Sequence, residues 1–160
     1  MKTMNQWLEE YGDSHRNKTN KLIHWICVPS IMFTVVALLY SIPAAYLASA
    51  VPQSIAGYAN WAAVVIILAV LFYLRLSVTM ALGMLFTASV MFFISRELSA
   101  LNWAPLWQIA LVIFIVAWIF QFIGHILEGK KPSFFKDLQF LLIGPAWILS
   151  FIYRKLGIPY

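Results

Sequence analysis

Residues 55–94 read IAGYANWAAVVIILAVLFYLRLSVTMALGMLFTASVMFFI and carry a single charged side chain, that of Arg75. One continuous helix of this length would extend about 60 Å, roughly twice the thickness of the hydrocarbon core of a bilayer. We therefore predict two membrane spans that meet at Arg75, residues 55–74 and residues 76–94. Because residues 73–77 contain neither Gly nor Pro, the turn is predicted from the charge and the length alone.

Apolar runs on both sides of this segment extend the pattern. Three further spans are predicted: residues 22–47, 103–127 and 138–153. The last run has about 16 residues and contains Gly144-Pro145, so it is a short span, a kinked span or a re-entrant segment. Residues 1–160 are thus predicted to form one all-α membrane domain, a polytopic helical bundle of four to five hydrophobic spans.

The overall composition agrees with this fold class. Hydrophobic residues make up 62% of the chain and charged residues 11%, more apolar surface than a soluble domain of 160 residues can bury. The net charge of +5 is concentrated beside the spans, which favours anionic lipid headgroups over nucleic acid as its partner. The single cysteine, Cys27, excludes an intramolecular disulfide and cysteine-based metal clusters.

Residues 1–21 are predicted to be an interfacial polar segment that begins with an amphipathic helix. The apolar side chains of this helix recur on one face: Met4, Trp7, Leu8 and Tyr11. Gly12 ends the helix, and its apolar face is expected at the membrane surface. The following residues 13–21, DSHRNKTNK, supply Asn17 or Thr19 as an N-cap for the first span.

The distribution of basic residues predicts a cytoplasmic N-terminus. In that orientation the cytoplasmic loops hold Lys2, Arg16, Lys18, Lys21, Arg75, Lys130, Lys131 and Lys136. Arg96 lies on the opposite side, and no secretory signal pattern precedes the first span. An integral multi-pass protein of this kind fits a bacterial inner membrane, or the endoplasmic reticulum if the source is eukaryotic.

Three histidines approach the predicted cytoplasmic face from separate segments. His15 and His24 flank the polar N-terminal stretch, and His125 ends the fourth span. Two polar stripes accompany them on helix faces: Asn17, Asn20 and His24, and Gln121, His125 and Glu128. Ionisable residues at the edge of a membrane bundle generally mark functional sites.

These residues allow two interpretations. The first is a metal site of His15, His24 and His125 with Glu128, a donor set that suits non-haem Fe(II) and also Zn or Mn. Side chains that can hold the second ring nitrogens are those of Asp13, Asn17, Asn20 and Gln121. In the second interpretation the histidines are amphipathic interfacial residues that bind backbone carbonyls or phosphates. Spacing alone does not decide between them.

The order of these residues resembles a known family. The pattern Tyr11-x3-His15-x4-Asn20-x3-His24-x4-Pro29, then Gln121-x2-Gly124-His125-x2-Glu128-x3-Pro132 and Gly144-Pro145, is similar to that of the membrane 2-hydroxy fatty acid dioxygenases. These small multi-pass proteins were formerly classed as a domain of unknown function. Their characterised fungal member is an Fe(II)-dependent enzyme of the endoplasmic reticulum that acts in phytosphingosine breakdown.

The resemblance covers nearly the whole chain and implies a function. It implies Fe(II) as cofactor, with His15, His24 and His125 as ligands and Glu128 as a catalytic residue. It implies a 2-hydroxy fatty acid and O2 as substrates, with the acid shortened by one carbon in fatty acid alpha-oxidation. Lys130 or Lys131, otherwise a lipid-headgroup patch, would then steer the substrate carboxylate.

Two other functions remain open at this stage. One is a non-catalytic membrane protein whose histidines bind lipid, and the other is a Zn-dependent lipid hydrolase that needs no O2. Three histidines are too few for the membrane di-iron desaturases, and the spans offer too few polar residues for a transporter.

Overall fold

The computed structural model describes residues 2–129 and 140–160, and these residues form helices and connecting turns without strands. The α-helices are α1 (Met4–Gly12), α2 (Lys18–Tyr40), α3 (Ala45–Ser49), α4 (Trp61–Leu74), α5 (Val78–Ala100), α6 (Leu106–Leu127) and α7 (Ile143–Leu156). A single 3-10 turn, Ala56–Tyr58, lies between α3 and α4. The predicted all-α class is confirmed.

The described residues contain three helices that are long and apolar enough to cross a membrane, namely α2, α5 and α6. This is fewer than the four to five spans predicted. Helix α4 is apolar but has only 14 residues, about 21 Å, because Asn60 caps its start by accepting a hydrogen bond from the amide of Ala63 at 3.2 Å. Residues 55–60 are thus not part of the helix.

The fifth apolar segment, residues 138–153, was predicted as a short span, a kinked span or a re-entrant segment, and its described part forms the short helix α7. Residues 138 and 139 lie outside the described part, and α7 begins at Ile143. Both ends of α7 contact the α4–α5 turn: Tyr73 donates a hydrogen bond to the carbonyl of Leu142, and Tyr153 donates one to the carbonyl of Thr79 at 3.0 Å. Helix α7 has 14 residues and packs against α1, α2 and α5.

The turn predicted at Arg75 is confirmed. Helix α4 ends at Leu74, and α5 begins at Val78 after Ser77, whose hydroxyl accepts a hydrogen bond from the amide of Met80 at 3.2 Å. The short side chain of Ser77 supplies the cap that stops and restarts the helix.

Other boundaries differ from the predicted ones for local reasons. Helix α2 begins four residues early because Asn17 accepts hydrogen bonds from the amides of Thr19 and Asn20, at 2.8 and 3.2 Å. It ends at Tyr40, so the predicted end at residue 47 was wrong and Pro43 lies beyond the helix. The predicted span ended at residue 94, whereas α5 continues to Ala100, and the buried Ser95 hydroxyl donates to the carbonyl of Met91 at 2.8 Å.

Helix α2 is at the centre of the bundle, where it packs along α6 and also contacts α4, α5 and α7. Large apolar side chains on α2, α4, α5 and α6 are exposed on the outside, as expected for surfaces that face lipid. The predicted amphipathic helix α1 is present, but its apolar face lies against α7, where Met4, Leu8 and Tyr11 are buried. This face contacts protein because α7 lies at the same end of the bundle.

The contact between α5 and α7 leads to a testable prediction. A Cβ atom at Gly83 would lie 2.0 Å from the hydroxyl oxygen of Tyr153 and 2.7 Å from Cδ2 of Leu149. We expect Gly83→Ala to displace Tyr153 and lower the free energy of unfolding by about 1–3 kcal/mol, measured as a lower Tm in detergent. Gly57→Ala is the control, since no described atom lies within 4 Å of its new Cβ. Equal Tm values for the two variants would contradict this packing.

Candidate metal centre

Three separate elements place the three histidines together at one end of the bundle. His15 is in the linker between α1 and α2, His24 is in the second turn of α2, and His125 is in the last turn of α6. All three are buried, with exposed fractions of 3%, 1% and 6%. Their ligand atoms lie within 4.8 Å of one another, close enough to bind one metal ion together.

Backbone carbonyls orient two of the rings. Nδ1 of His15 lies 2.7 Å from the carbonyl oxygen of Tyr11, and Nδ1 of His24 lies 3.0 Å from that of Asn20. A carbonyl oxygen only accepts, so this network assigns the hydrogen to Nδ1 and leaves the lone pair on Nε2. The sequence predicts side chains as partners of the second ring nitrogens, whereas the partners of these two Nδ1 atoms are main-chain carbonyl oxygens.

His15 is held in the neutral form that binds metal ions. Burial lowers the pKa of His15 to about 4, although the hydrogen bond to the Tyr11 carbonyl opposes the shift. The ring stacks on Tyr11, with centroids 4.3 Å apart and planes 17° apart, and Trp147 lies 5.2 Å away. Its Nε2 atom is buried and has no hydrogen-bond partner in the described part of the chain. A buried acceptor without a partner is costly, and a bound cation would satisfy it.

Glu128 joins the two segments that carry His15 and His125. Its carboxylate accepts hydrogen bonds from the amides of Arg16 and Asn17, at 2.8 and 2.9 Å, and from the side chain of Asn20 at 2.9 Å. Partial desolvation raises the pKa of Glu128, but these three donors outweigh it and hold the pKa below its usual range. The bonds therefore stabilise the fold at neutral pH and are lost as the pH falls through the lowered pKa. The catalytic role of Glu128 stays a prediction.

The predicted polar neighbours lie around the same site. Asn20 is fully buried and also donates to the carbonyl of Ser14 at 3.1 Å, while Asn17 caps α2 and donates to the carbonyl of Leu127 at 3.4 Å. Gln121 is buried on α6, one turn before His125. Their influence on a bound metal stays a prediction. Lys130 and Lys131, predicted to meet the substrate headgroup, lie outside the described residues.

Sequence reasoning missed Trp147, whose ring packs against the site. It lies on α7 with its ring 5.2 Å from His15 and 5.4 Å from Tyr11. An aromatic residue inside an apolar run carries no signal of its own, because its role comes from α7 folding back over α1. Gly144, one turn earlier, allows this approach, since a Cβ there would lie 2.9 Å from the hydroxyl oxygen of Tyr11.

Three imidazoles from three elements form a donor set for one first-row divalent cation. All three side chains are largely shielded from solvent at this end of the bundle. Such a site can bind a metal ion and leave coordination positions for small ligands.

Comparisons with known proteins identify relatives of this chain. The family described as "2-hydroxy-palmitic acid dioxygenase Mpo1-like" matches residues 1–156. The curated "2-hydroxy-palmitic acid dioxygenase MPO1" of Saccharomyces cerevisiae is 30% identical over 151 residues, which are 92% of this chain and 78% of the yeast protein. No solved structure matches the chain.

The hydrogen bonds of Glu128 lead to a second prediction. In Glu128→Gln one acceptor oxygen is replaced by an NH2 group, which cannot accept from a backbone amide. We expect the free energy of local opening of the linker around residues 13–17 to fall by about 1 kcal/mol, a modest change because the carboxylate is only partly buried. Faster hydrogen exchange of the Arg16 and Asn17 amides would show this.

Glu97→Gln, an exposed acid at the opposite end of the bundle, serves as the control for that experiment. Unchanged hydrogen exchange of the Arg16 and Asn17 amides in Glu128→Gln would contradict the role of Glu128 in holding this linker.

Proposed function

Because the chain belongs to the Mpo1-like family of 2-hydroxy-palmitic acid dioxygenases, we propose that it is an Fe(II)-dependent dioxygenase that shortens 2-hydroxy fatty acids by one carbon. The observation that carries this proposal is the convergence of three buried imidazoles within 4.8 Å at one end of an apolar bundle. The similarity to the yeast enzyme over most of both chains supports the same class of activity.

The residues present fit an iron ion. His15 and His24 would bind it through Nε2, because their Nδ1 atoms are engaged by main-chain carbonyls, and His125 would supply the third nitrogen. The buried Nε2 of His15, without a hydrogen-bond partner in the described part of the chain, is the observation that favours a cation here. When bound, Fe(II) supplies the electron transfer that allows O2 to react with an organic substrate.

The residues around the histidines hold them in place and bury them. Tyr11 and Trp147 pack against His15 and leave only 3% of it exposed, which strengthens electrostatic interactions in the site. Glu128 and Asn20 hold the linker that carries His15 against the end of α6. These residues act through position, so we expect their loss to loosen the site rather than to remove a reacting group.

The reaction balances with one O2. A 2-hydroxy acid and O2 give the acid one carbon shorter, CO2 and water, with the bond between C1 and C2 broken. The site lies at an end of the bundle, where α2 also exposes Leu22 and Ile26 to the surrounding lipid. A fatty acid can therefore keep its polar head at the histidines and its tail in the membrane.

The direct test of this proposal is O2 uptake by anaerobically purified protein in detergent after addition of 2-hydroxyhexadecanoate. We expect uptake that depends on the acid and yields a product one carbon shorter. Bound zinc without O2 uptake would instead support a lipid hydrolase. Protein that contains no metal would support a non-catalytic lipid-binding role.

A matched set of variants assigns the ligands. We expect His15→Ala, His24→Ala and His125→Ala each to lose bound iron and at least about tenfold in O2 uptake, with membrane insertion retained, because removal of one nitrogen leaves an incomplete donor set. Asn60→Ala is the control, since it removes a buried polar side chain at the opposite end of the bundle. Full iron content in all three histidine variants would contradict the proposed ligands.

A further inference from the structure

A cavity of about 270 Å³ opens beside the metal centre, between α1, the start of α2 and α7. His15 and Trp147 form its inner wall. Its remaining lining includes two cations and one acid: Lys21, Arg154 and Glu9. The cavity therefore joins a proposed metal ligand to a surface with a net positive charge.

The two cations converge on one ring. Nζ of Lys21 lies 5.8 Å from the centroid of Phe151, and Cζ of Arg154 lies 4.8 Å from it. Neither cation forms an ion pair with an acid in the part of the chain that the structure describes. A cation on an aromatic face keeps its full charge, and its N–H groups can still donate to a ligand.

Arg154 is positioned in advance of any ligand. Its Nη2 donates to the hydroxyl of Ser150 at 3.0 Å, and its Nε donates to the carbonyl of Ser150 at 3.3 Å, while Ser150 itself is fully buried. A guanidinium has five N–H groups, so three remain to bind a ligand. A guanidinium fixed in this way loses little side-chain entropy when it binds a carboxylate.

We propose that this cavity is the carboxylate subsite of the protein, in which Lys21 and Arg154 bind the carboxylate of the 2-hydroxy fatty acid and place its C2 hydroxyl toward His15. This inference rests on the proposed function and names the residues that select an acid. Glu9 leaves the lining one positive charge in excess, which matches a single carboxylate.

The surroundings of the cavity provide a path for the acyl chain. Phe151, which lines the cavity, packs against Trp25 with ring centroids 5.5 Å apart. Trp25 lies on the same exposed surface of α2 as Leu22 and Ile26, whose side chains are 63% and 64% exposed. An amphiphile with its head between the cations can thus pass its tail over Phe151 into lipid.

The experiment measures binding in the absence of O2, so that no turnover occurs. Iron-loaded protein in lipid-free detergent is titrated by calorimetry with 2-hydroxyhexadecanoate and with its neutral amide. We expect Lys21→Gln and Arg154→Gln each to weaken binding of the acid by about tenfold, with binding of the amide and the iron content unchanged. Lys18→Gln and Arg96→Gln are the controls, because each removes an exposed cation that does not line the cavity.

Two results would overturn the subsite. One is unchanged affinity for the acid in both Lys21→Gln and Arg154→Gln, and the other is equal affinity of the wild-type protein for the acid and the amide. The protein could bind the acid selectively through both cations and yet show no O2 uptake. That result would support the subsite and contradict the proposed function. If both variants keep the O2 uptake and the affinity for the acid of the wild-type protein, the proposed function is supported and the subsite is overturned.

An anionic phospholipid has the same headgroup chemistry, so the titration is repeated in nanodiscs of phosphatidylcholine with and without phosphatidylglycerol. We expect the affinity for the acid to be similar in both. Strong competition by phosphatidylglycerol that disappears in Lys21→Gln would assign the cavity to a phospholipid phosphate and overturn the assignment to the fatty acid.

Discussion

The close approach of α2 and α6 at Gly124 is the constraint on which the site depends. A Cβ atom at this position would lie 2.4 Å from Oδ1 of Asn20 and 3.3 Å from Cε1 of His24. Only glycine lets the two helices come near enough for His24 and His125 to place their ring centroids 4.9 Å apart. From this contact Asn20 reaches both Ser14 and Glu128, so the linker that carries His15 is drawn to the same point.

The position of the site at the end of the bundle follows from the cost of burying polar groups in an apolar chain. Imidazoles and a carboxylate in the middle of the spans would lack partners, whereas at the helix ends they meet free backbone groups. The amides of Arg16 and Asn17 are such groups and are bound by Glu128. A site there also suits a lipid substrate, since its head and tail need different surroundings.

Much of this architecture could be predicted from local features of the sequence. The turn at Arg75 was predictable because a charge interrupts an apolar run that is too long for one span, and Asn17 was predictable as a cap from its residue type. The continuation of α5 through residues 95–100 was not, because polar residues remain helical once the helix leaves the apolar layer. The place of α7 depends on contacts of Tyr73 and Tyr153 with residues about 70 positions away, which periodicity does not report.

The candidate site, too, was only partly predictable from the sequence. The three histidines were placed at one end from the predicted topology alone, and their proximity agrees with that prediction. The hydrogen bonds of Glu128 were not predicted, since its carboxylate accepts from main-chain amides 111 and 112 residues away. Trp147 and the cations Lys21 and Arg154 join the site only because α7 folds over α1 and α2, and no sequence spacing indicates this.

The central claim is that three histidines hold one iron ion, and X-ray absorption at the iron edge tests it most directly. In protein purified without O2, the account predicts about one iron per chain with scattering from about three imidazole rings. Protein that binds no iron, or iron whose spectrum lacks imidazole scattering, would contradict the account.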